Sequence, residues 1–177
     1  EALDNATLDW QTGGSAGWRG VTLSDRDAAQ SGVIGHNQSS ELRATITGPG
    51  SLVFQWKVSS EASYDYLEFL VDGVVQFRIS GEAGWETRTA TIGAGAHEAK
   101  WVYRKDGSVS RGSDAGWVDA VVFTPSSSSL PNLTVTQVTS PANGAPGGKI
   151  EVSATITNQG SVAAGGADSE SNSAQAG

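Results

Sequence analysis

The stretch His97–Phe123, HEAKWVYRKDGSVSRGSDAGWVDAVVF, places two predicted β-strands around a loop rich in glycine and carboxylates. Before the loop, Ala99, Trp101 and Tyr103 alternate along the chain, the period of two that is typical of a half-buried strand. After the loop, residues 117–123 are apolar at nearly every position, which indicates a central strand. Because polar ligand atoms are densest between these strands, the sequence places its candidate binding site there.

The composition indicates a chain of short strands and turns. The 177 residues include 23 glycines and no cysteine, so no disulfide framework is expected. The net charge of −8 argues against a nucleic-acid partner, because phosphate binding needs clustered Lys and Arg, and it favours a cation. No apolar run approaches the ~20 residues that span a bilayer, so we expect no membrane insertion. The abundance of small polar residues favours a secreted or cell-surface, extracellular bacterial protein.

Alternating apolar residues predict about eight strands and no convincing helix. The Gly48-Pro49-Gly50 segment is expected to be a turn between two antiparallel strands, and Asp72-Gly73 is the strongest hairpin signal in the chain. The fold class predicted is therefore all-β, a two-sheet antiparallel sandwich. The predicted strands lie around residues 6–10, 41–47, 51–60, 65–71, 74–80, 85–92, 97–104 and 117–123.

The composition changes after Phe123. Residues 125–130, PSSSSL, are predicted to be a Ser/Pro linker between a domain at residues 1–124 and a second unit at 131–177. The second unit has two strand patterns of an Ig-like sandwich, too few to be stable alone, and a tail with almost no large apolar residue. We therefore expect a truncated Ig-like segment whose tail is disordered or completed by a partner.

Several phrases resemble a known family. The segments GPGSLVFQWKVSSEASYDYLEFLVDG (48–73), ISGEAGW (79–85) and KWVYRKDGSVSRGSDAGWVDAVVF (100–123) resemble a bacterial extracellular jelly-roll module, similar to MAM and concanavalin-like lectin domains. The segments PNLTVTQVTSP and GGKIEVSATITNQG, which follow the linker, resemble the start of a CARDB domain, an Ig-like, adhesion-related repeat. The resemblance implies jelly-roll topology for residues 1–124 and a partial Ig-like fold after them.

A calcium site is predicted from the acidic loop. Calcium takes six to eight oxygen ligands from flexible segments, and the aspartates and carbonyl groups around residues 106–119 offer several. The jelly-roll resemblance implies that the first and last strands pair, which would bring an N-terminal aspartate to the same place. The alternative is that these aspartates cap turns and pair with neighbouring cations. The predicted ligands of this structural calcium ion are Asp106, Asp114, Asp119 and Asp4.

A structural polar network is predicted at the ends of three strands. Glu61 and Asp65 open one strand, and Lys105 closes another. If these strand ends lie together, Lys105 is held between carboxylates and fixes the long loop. The alternative is a set of unrelated solvated charges.

A carbohydrate-binding surface is predicted from aromatic residues in or beside loops. Sugar recognition combines an aromatic ring with planar polar side chains. The alternative for each tryptophan is burial in the core or under a loop. The candidate ligand-binding residues are Trp18, Tyr64, Trp85, Arg111 and Trp117.

Catalysis is not indicated, because the chain has no cysteine and neither of its two histidines lies in a nucleophile motif. The sequence predicts a non-catalytic extracellular binding or adhesion module, calcium-stabilised, that recognises a carbohydrate or another cell-surface ligand. One alternative is a self-associating structural subunit of a fibre or surface layer, completed by strand exchange through the C-terminal segment. Another is an accessory domain of a secreted protease or polysaccharide-degrading enzyme.

Overall fold

The structure, a computed structural model, describes residues 2–24, 26–126, 133–140, 149–150, 152–159 and 174–175. It divides into two compact units, residues 1–127 and 128–177. The predicted linker residues 127–130 and most of the tail after residue 160 lie outside the described residues. No helix in the described part of the chain is long and apolar enough to cross a lipid bilayer.

The first unit is an antiparallel β-sandwich of eight strands, which confirms the predicted fold class. The strands are β1 Gln11–Gly14, β2 Arg19–Thr22, β3 Asp27–Gln30, β4 Ser39–Ser59, β5 Tyr66–Val71, β6 Val74–Ser80, β7 Glu82–Arg104 and β8 Ala115–Pro125. Two of them, β4 and β7, contain 21 and 23 residues and pair with each other along most of their length. Each of these long strands contributes to both layers of the sandwich.

Layer A consists of β1, residues 39–47 of β4, residues 95–104 of β7, β5 and β6, in that order. Layer B consists of β2, β3, β8, residues 50–59 of β4 and residues 82–92 of β7. The two layers meet at Phe54 of layer B, whose ring centroid lies 5.2 Å from that of Trp101 and 4.8 Å from that of Phe69, both in layer A. These rings are fully buried and form the centre of one hydrophobic core.

The Gly48-Pro49-Gly50 segment is not the turn that the sequence predicts. It lies inside β4, and the strand bends there from layer A into layer B opposite the glycines of β7, with Gly48 paired to Gly95. A Cβ atom on Gly48 would lie 1.9 Å from the carbonyl oxygen of Gly93, so only glycine allows the two backbones to bend together at this contact. The predicted strand pair 41–47 and 51–60 is therefore one strand, and 85–92 and 97–104 also belong to one strand.

Two further strand predictions have opposite outcomes. The Asp72-Gly73 hairpin is present between β5 and β6, with Val71 paired to Val74 and positive φ angles of 50° and 78° at its two turn residues. The strand predicted at residues 6–10 is absent, since pairing begins at Gln11 in β1. Residues 5–10 are instead held by local bonds, including one from Trp10 Nε1 to the carbonyl oxygen of Asn5.

The described residues of the second unit form two short antiparallel sheets. One pairs β9, Leu133–Thr139, with β11, Ser153–Asn158, and the other pairs β10, Lys149–Ile150, with β12, Ala174–Gln175. The first pair corresponds to the two strands predicted from the sequence. Its apolar side chains Leu133, Val135, Val138 and Ile156 are exposed.

Substitution of Gly48 by Ala tests the bend between the two layers. The added methyl group has to displace backbone, so we expect a loss of about 1–3 kcal/mol in the free energy of unfolding. Urea unfolding of Gly48→Ala measures it. The matched control is Gly13→Ala in β1, where the nearest atom to the new Cβ lies at 3.9 Å and little change is expected. Equal stability of Gly48→Ala and the unsubstituted protein would contradict the bend geometry.

Candidate functional site

The outer face of layer B bears tryptophans where a solvated sheet face normally bears small polar groups. Phe54, Trp56 and Val58 of β4 point into the core, so Gln55 and Lys57 point outward. An apolar cluster separate from the main core lies on this outer face. It contains buried Ala28, Ala115 and Trp117, packed against partly buried Val21, Leu23 and Trp85.

A β-bulge places Trp85 beside Lys57. In the pairing of β4 with β7, Trp56 is opposite Glu86 and Val58 is opposite Ala83, so two residues of β7 oppose Lys57 alone. Trp85 is one of these two residues. Bulges of this kind redirect side chains and are frequent beside functional sites.

A second bulge lies on the other flank of the face. Between the Val53–Val122 pair and the Gln55–Asp119 pair, β8 has one residue more than β4. Ala120, in this bulge, has a φ of 50°, in the left-handed region that a residue with a Cβ rarely adopts. The bulge sets Asp119 directly opposite Gln55 on the outer face.

Lys57 lies between the two indole rings. Its Nζ atom is 4.5 Å from the ring centroid of Trp117 and 5.7 Å from that of Trp85, within the range of cation–π attraction. The Cζ atom of Arg26 lies 4.7 Å from the Trp85 centroid. We call Arg26, Gln55, Lys57, Trp85 and Trp117 the tryptophan face.

Planar polar groups border the rings of the tryptophan face. Arg26 Nη1 donates to Gln55 Oε1 at 2.6 Å and lies 3.4 Å from Asp119 Oδ2. Burial raises the pKa of the Asp119 carboxyl above its ordinary value, and the negative charge of Asp4 acts in the same direction. The face therefore combines guanidinium, amide and ammonium groups with indole rings, a set suited to hydroxyl and anionic ligand groups.

At a second place, Lys105 is fully buried between carboxylates. Its Nζ atom donates to Asp114 Oδ2 and, at 2.6 Å, to Ser110 Oγ, and lies 3.7 Å from Asp65 Oδ2. Tyr103 donates its hydroxyl to Asp114 Oδ1 at 2.8 Å. The arrangement ties the loop after β7 to the start of β5.

A group of three carboxylates adjoins this network. One carboxylate oxygen each from Glu61, Asp65 and Asp106 lie within 4.8 Å of one another, the only such acidic group found in the described part of the chain. Asp65 is completely buried, and its Oδ1 accepts the Asp106 backbone N–H at 2.9 Å. Its Oδ2 accepts no hydrogen bond. This oxygen-rich set, which we call the acidic cluster, is chemically suited to a hard divalent cation.

The structure does not bring the four predicted calcium ligands together. Asp106 belongs to the acidic cluster, and Asp114 binds Lys105 and Tyr103. Asp119 pairs with Arg26 on the tryptophan face, where Asp4 is its electrostatic neighbour. The aspartates are separated because Lys105 binds Asp114 within the loop, whereas Asp119 lies in β8.

The predicted sugar-binding residues are also divided. Trp85 and Trp117 share the tryptophan face, although Trp117 is 6% exposed and lies beneath Lys57. Trp18 is not available to a ligand, because it is buried in the main core. Tyr64 is exposed in the turn before β5, and Arg111 is exposed in the loop before β8.

Three residues of the tryptophan face, Arg26, Gln55 and Lys57, were not among those predicted from the sequence. The alternation in the segment LVFQWKV already indicates that Gln55 and Lys57 point away from the core. Their proximity to Trp85 and Trp117 depends on strand order and on a bulge, neither of which has a local sequence signal. Arg26 precedes a short strand in a segment without period, so nothing in its neighbours indicates its position.

Comparisons with known proteins support the fold. No family model matches the chain, and no curated protein sequence matches it. Among solved structures, the secreted serine protease VesC from Vibrio cholerae aligns with a TM-score of 0.54 and 15% identity over 63% of this chain and 23% of the protease chain. The K2 cleaved adhesin domain of Lys-gingipain aligns with a TM-score of 0.52 and 13% identity, covering 71% of this chain and 93% of that domain.

The chain thus belongs to the class of antiparallel β-sandwich modules, consistent with the jelly-roll topology expected from the sequence. TmCBM61, solved in complex with β-1,4-galactotriose, aligns at a TM-score of 0.46 with 14% identity, over 66% of this chain and 88% of that one. The two alignments with TM-scores above 0.5, at 15% and 13% identity, support the fold alone. The MAM and CARDB resemblances have no match among these comparisons.

Asp114→Asn tests the Lys105 network by its dependence on pH. Burial alone would raise the pKa of Asp114, but hydrogen bonds from Lys105 and Tyr103 lower it below the ordinary value of 3.8. The ionised carboxylate therefore stabilises the fold above about pH 4, and this contribution is lost as the pH falls through the lowered pKa. At pH 7 we expect Asp114→Asn to lower the free energy of unfolding by about 3 kcal/mol. This is the low end of the cost of breaking a buried ion pair, because Asp65 still neutralises Lys105.

The measurement is urea unfolding of Asp114→Asn and the unsubstituted protein between pH 7 and pH 2. The control is Arg43→Gln, which breaks a surface pair with Glu98 at 4.0 Å and is expected to cost less than about 1 kcal/mol. A stability difference for Asp114→Asn that stays constant down to pH 2 would contradict the proposed charge interaction.

Proposed function

We propose that this chain is a non-catalytic binding module of a secreted or cell-surface protein, and that it recognises carbohydrate on the tryptophan face. The observation that supports this is the presence of two tryptophans on an outward sheet face, joined by Lys57 and bordered by Arg26 and Gln55. Trp117 is covered by Lys57, whereas Trp85 is only partly buried and leaves aromatic surface on this face for a ligand to cover. A pyranose ring covers such a surface with its C–H groups while its hydroxyls bond to planar polar side chains.

The partners of Asp65, Glu68 and His97 support a role without catalysis. Glycosidic hydrolysis needs two carboxyl groups free to exchange protons on either side of a substrate. Asp65 is fully buried beside Lys105, and Glu68, which points to the opposite side of β5, pairs with Arg104 at 3.1 Å. His97 is bound to Asp72 at 2.7 Å in the hairpin region. These groups have structural partners instead of a shared cleft.

We also propose that a divalent cation, most simply calcium, binds at the acidic cluster. Glu61, Asp65 and Asp106 bring three negative charges together, and Lys105 Nζ, 3.7 Å from Asp65 Oδ2, is shared with Asp114. A cation there would supply a partner to the buried Asp65 oxygen that accepts no hydrogen bond. Its role would be to stabilise the fold, since the cluster adjoins the Lys105 network.

Trp85→Ala tests the carbohydrate-binding proposal. We expect binding to a glycan identified on an array to weaken at least about 10-fold, because an aromatic contact at the centre of a binding site is a typical hot spot. Isothermal titration calorimetry measures the affinity. The control is Tyr66→Ala, which removes an aromatic ring that also stacks with an arginine, Arg78, but on layer A. If none of the arrayed glycans binds, the proposal is overturned.

Thermal unfolding with calcium and with a chelator tests the cation proposal. A ligand that binds only the folded state stabilises it by about 2.7 kcal/mol at a concentration of 100 Kd. We expect calcium to raise the melting temperature of the unsubstituted protein and of Asp4→Asn, but not that of Glu61→Gln. A calcium response that survives in Glu61→Gln and is lost in Asp4→Asn would instead place the ion near Asp119. No response in any of the three proteins would overturn the proposal.

A further inference from the structure

Lys57 is a cation without an anion on a strongly acidic protein. Within the part of the chain that the structure describes, its ammonium makes no hydrogen bond and no ion pair, and its contacts are the two indole rings. Several other cations of this unit have a carboxylate partner. Lys100 lies 3.0 Å from Glu98, Arg104 lies 3.1 Å from Glu68, and Arg26 lies 3.4 Å from Asp119. With a net charge of −8, carboxylates are plentiful, yet none of those described pairs with Lys57.

The position of Lys57 makes this lack of a partner costly. The side chain is half-buried, and it is flanked by Trp117 in direct register across β8 and by Trp85 in the bulge of β7. Indole rings attract the ammonium but cannot accept its three hydrogen bonds as a carboxylate or water would. Neighbouring indoles also limit access of water to the ammonium, so a ligand anion would bind with less competition from solvent than at an exposed lysine.

We infer that the ligand of the tryptophan face is an acidic saccharide, one whose uronic acid carboxylate pairs with Lys57. This inference rests on the proposed carbohydrate-binding function and specifies the ligand class at the same site. The carboxylate at C5 of a uronic acid projects from a ring whose C–H groups suit the Trp85 surface. Gln55 and Arg26 lie on the same face, within reach of the ring hydroxyls.

The charge of the whole chain restricts the kind of acidic ligand. A protein of net charge −8 repels a dense polyanion, and one unpaired lysine does not offset that repulsion. A saccharide with an isolated uronic acid needs only one cation. Nucleic acids and highly sulfated glycans are therefore disfavoured, and short oligosaccharides with a single carboxylate are the ligands expected to bind best.

The test uses an array of short oligosaccharides that contain galacturonic, glucuronic or mannuronic acid, each beside its neutral counterpart with galactose, glucose or mannose. We expect at least one uronate oligosaccharide to bind about 10-fold or more tightly than its neutral counterpart, as a charge-assisted hydrogen bond provides. Lys57→Gln is expected to abolish that preference, so that the uronate oligosaccharide and its neutral counterpart bind this variant with similar affinity. Raising the salt concentration is expected to weaken uronate binding only.

The matched control is Arg78→Gln, which removes a cation stacked on Tyr66 at 4.9 Å on layer A and is expected to keep the preference for uronate. Thermal unfolding of both variants verifies that they are folded. A second outcome is that neutral glycans bind, that Trp85→Ala abolishes this binding, and that no uronate is preferred. That outcome would overturn this inference and leave the proposed function standing. A uronate preference that survives in Lys57→Gln would also overturn it. Absence of binding to every oligosaccharide would overturn both.

Discussion

The two layers of the sandwich depend on one shared bend. Strands β4 and β7 run side by side through both layers and turn together where Gly48 faces Gly95 and the Gly93 carbonyl. The two backbones are in contact there, and the pairing shifts register at the corner, from Gly48 opposite Gly95 to Gly50 opposite Ile92. The bend brings Phe54 in one layer against Trp101 in the other, so the aromatic core is a consequence of it.

The ends of the sandwich are organised by charge rather than by apolar contact. Lys105 is fully buried, and its ammonium draws Asp65 and Asp114 together from elements far apart in sequence. This interaction determines the course of the loop between β7 and β8. It also explains why an aspartate-rich loop, which has the composition of a metal site, folds around a lysine. The acidic cluster adjoins this network through Asp65, which belongs to both.

The outer faces of the two layers have different chemistry although both are solvated. Layer A has interlocking pairs: Lys100 lies near Glu41 across the strand pair and near Glu98 along β7. The tryptophan face of layer B combines indoles, an amide and the cations Arg26 and Lys57, and its carboxylate Asp119 pairs with Arg26 and not with Lys57. A face with balanced charges has little affinity left for a ligand. The face with aromatic surface and an unbalanced ammonium is the one on which we propose recognition.

From residue 41 to residue 123 the local sequence determined most strand segments, the alternation of their buried side chains and the position of the Asp72-Gly73 hairpin, because these features follow from a period of two and from turn chemistry. The three short strands before residue 31 were not predicted. The local sequence also placed Trp85 and Trp117 among the candidate ligand residues. Only the tertiary structure decided that Gly48-Pro49-Gly50 bends a strand instead of ending it, since the opposing glycines are more than 40 residues away. Likewise, Lys57 joins the two tryptophans only through strand order and a bulge. Such contacts depend on long-range pairing, and no local pattern encodes them.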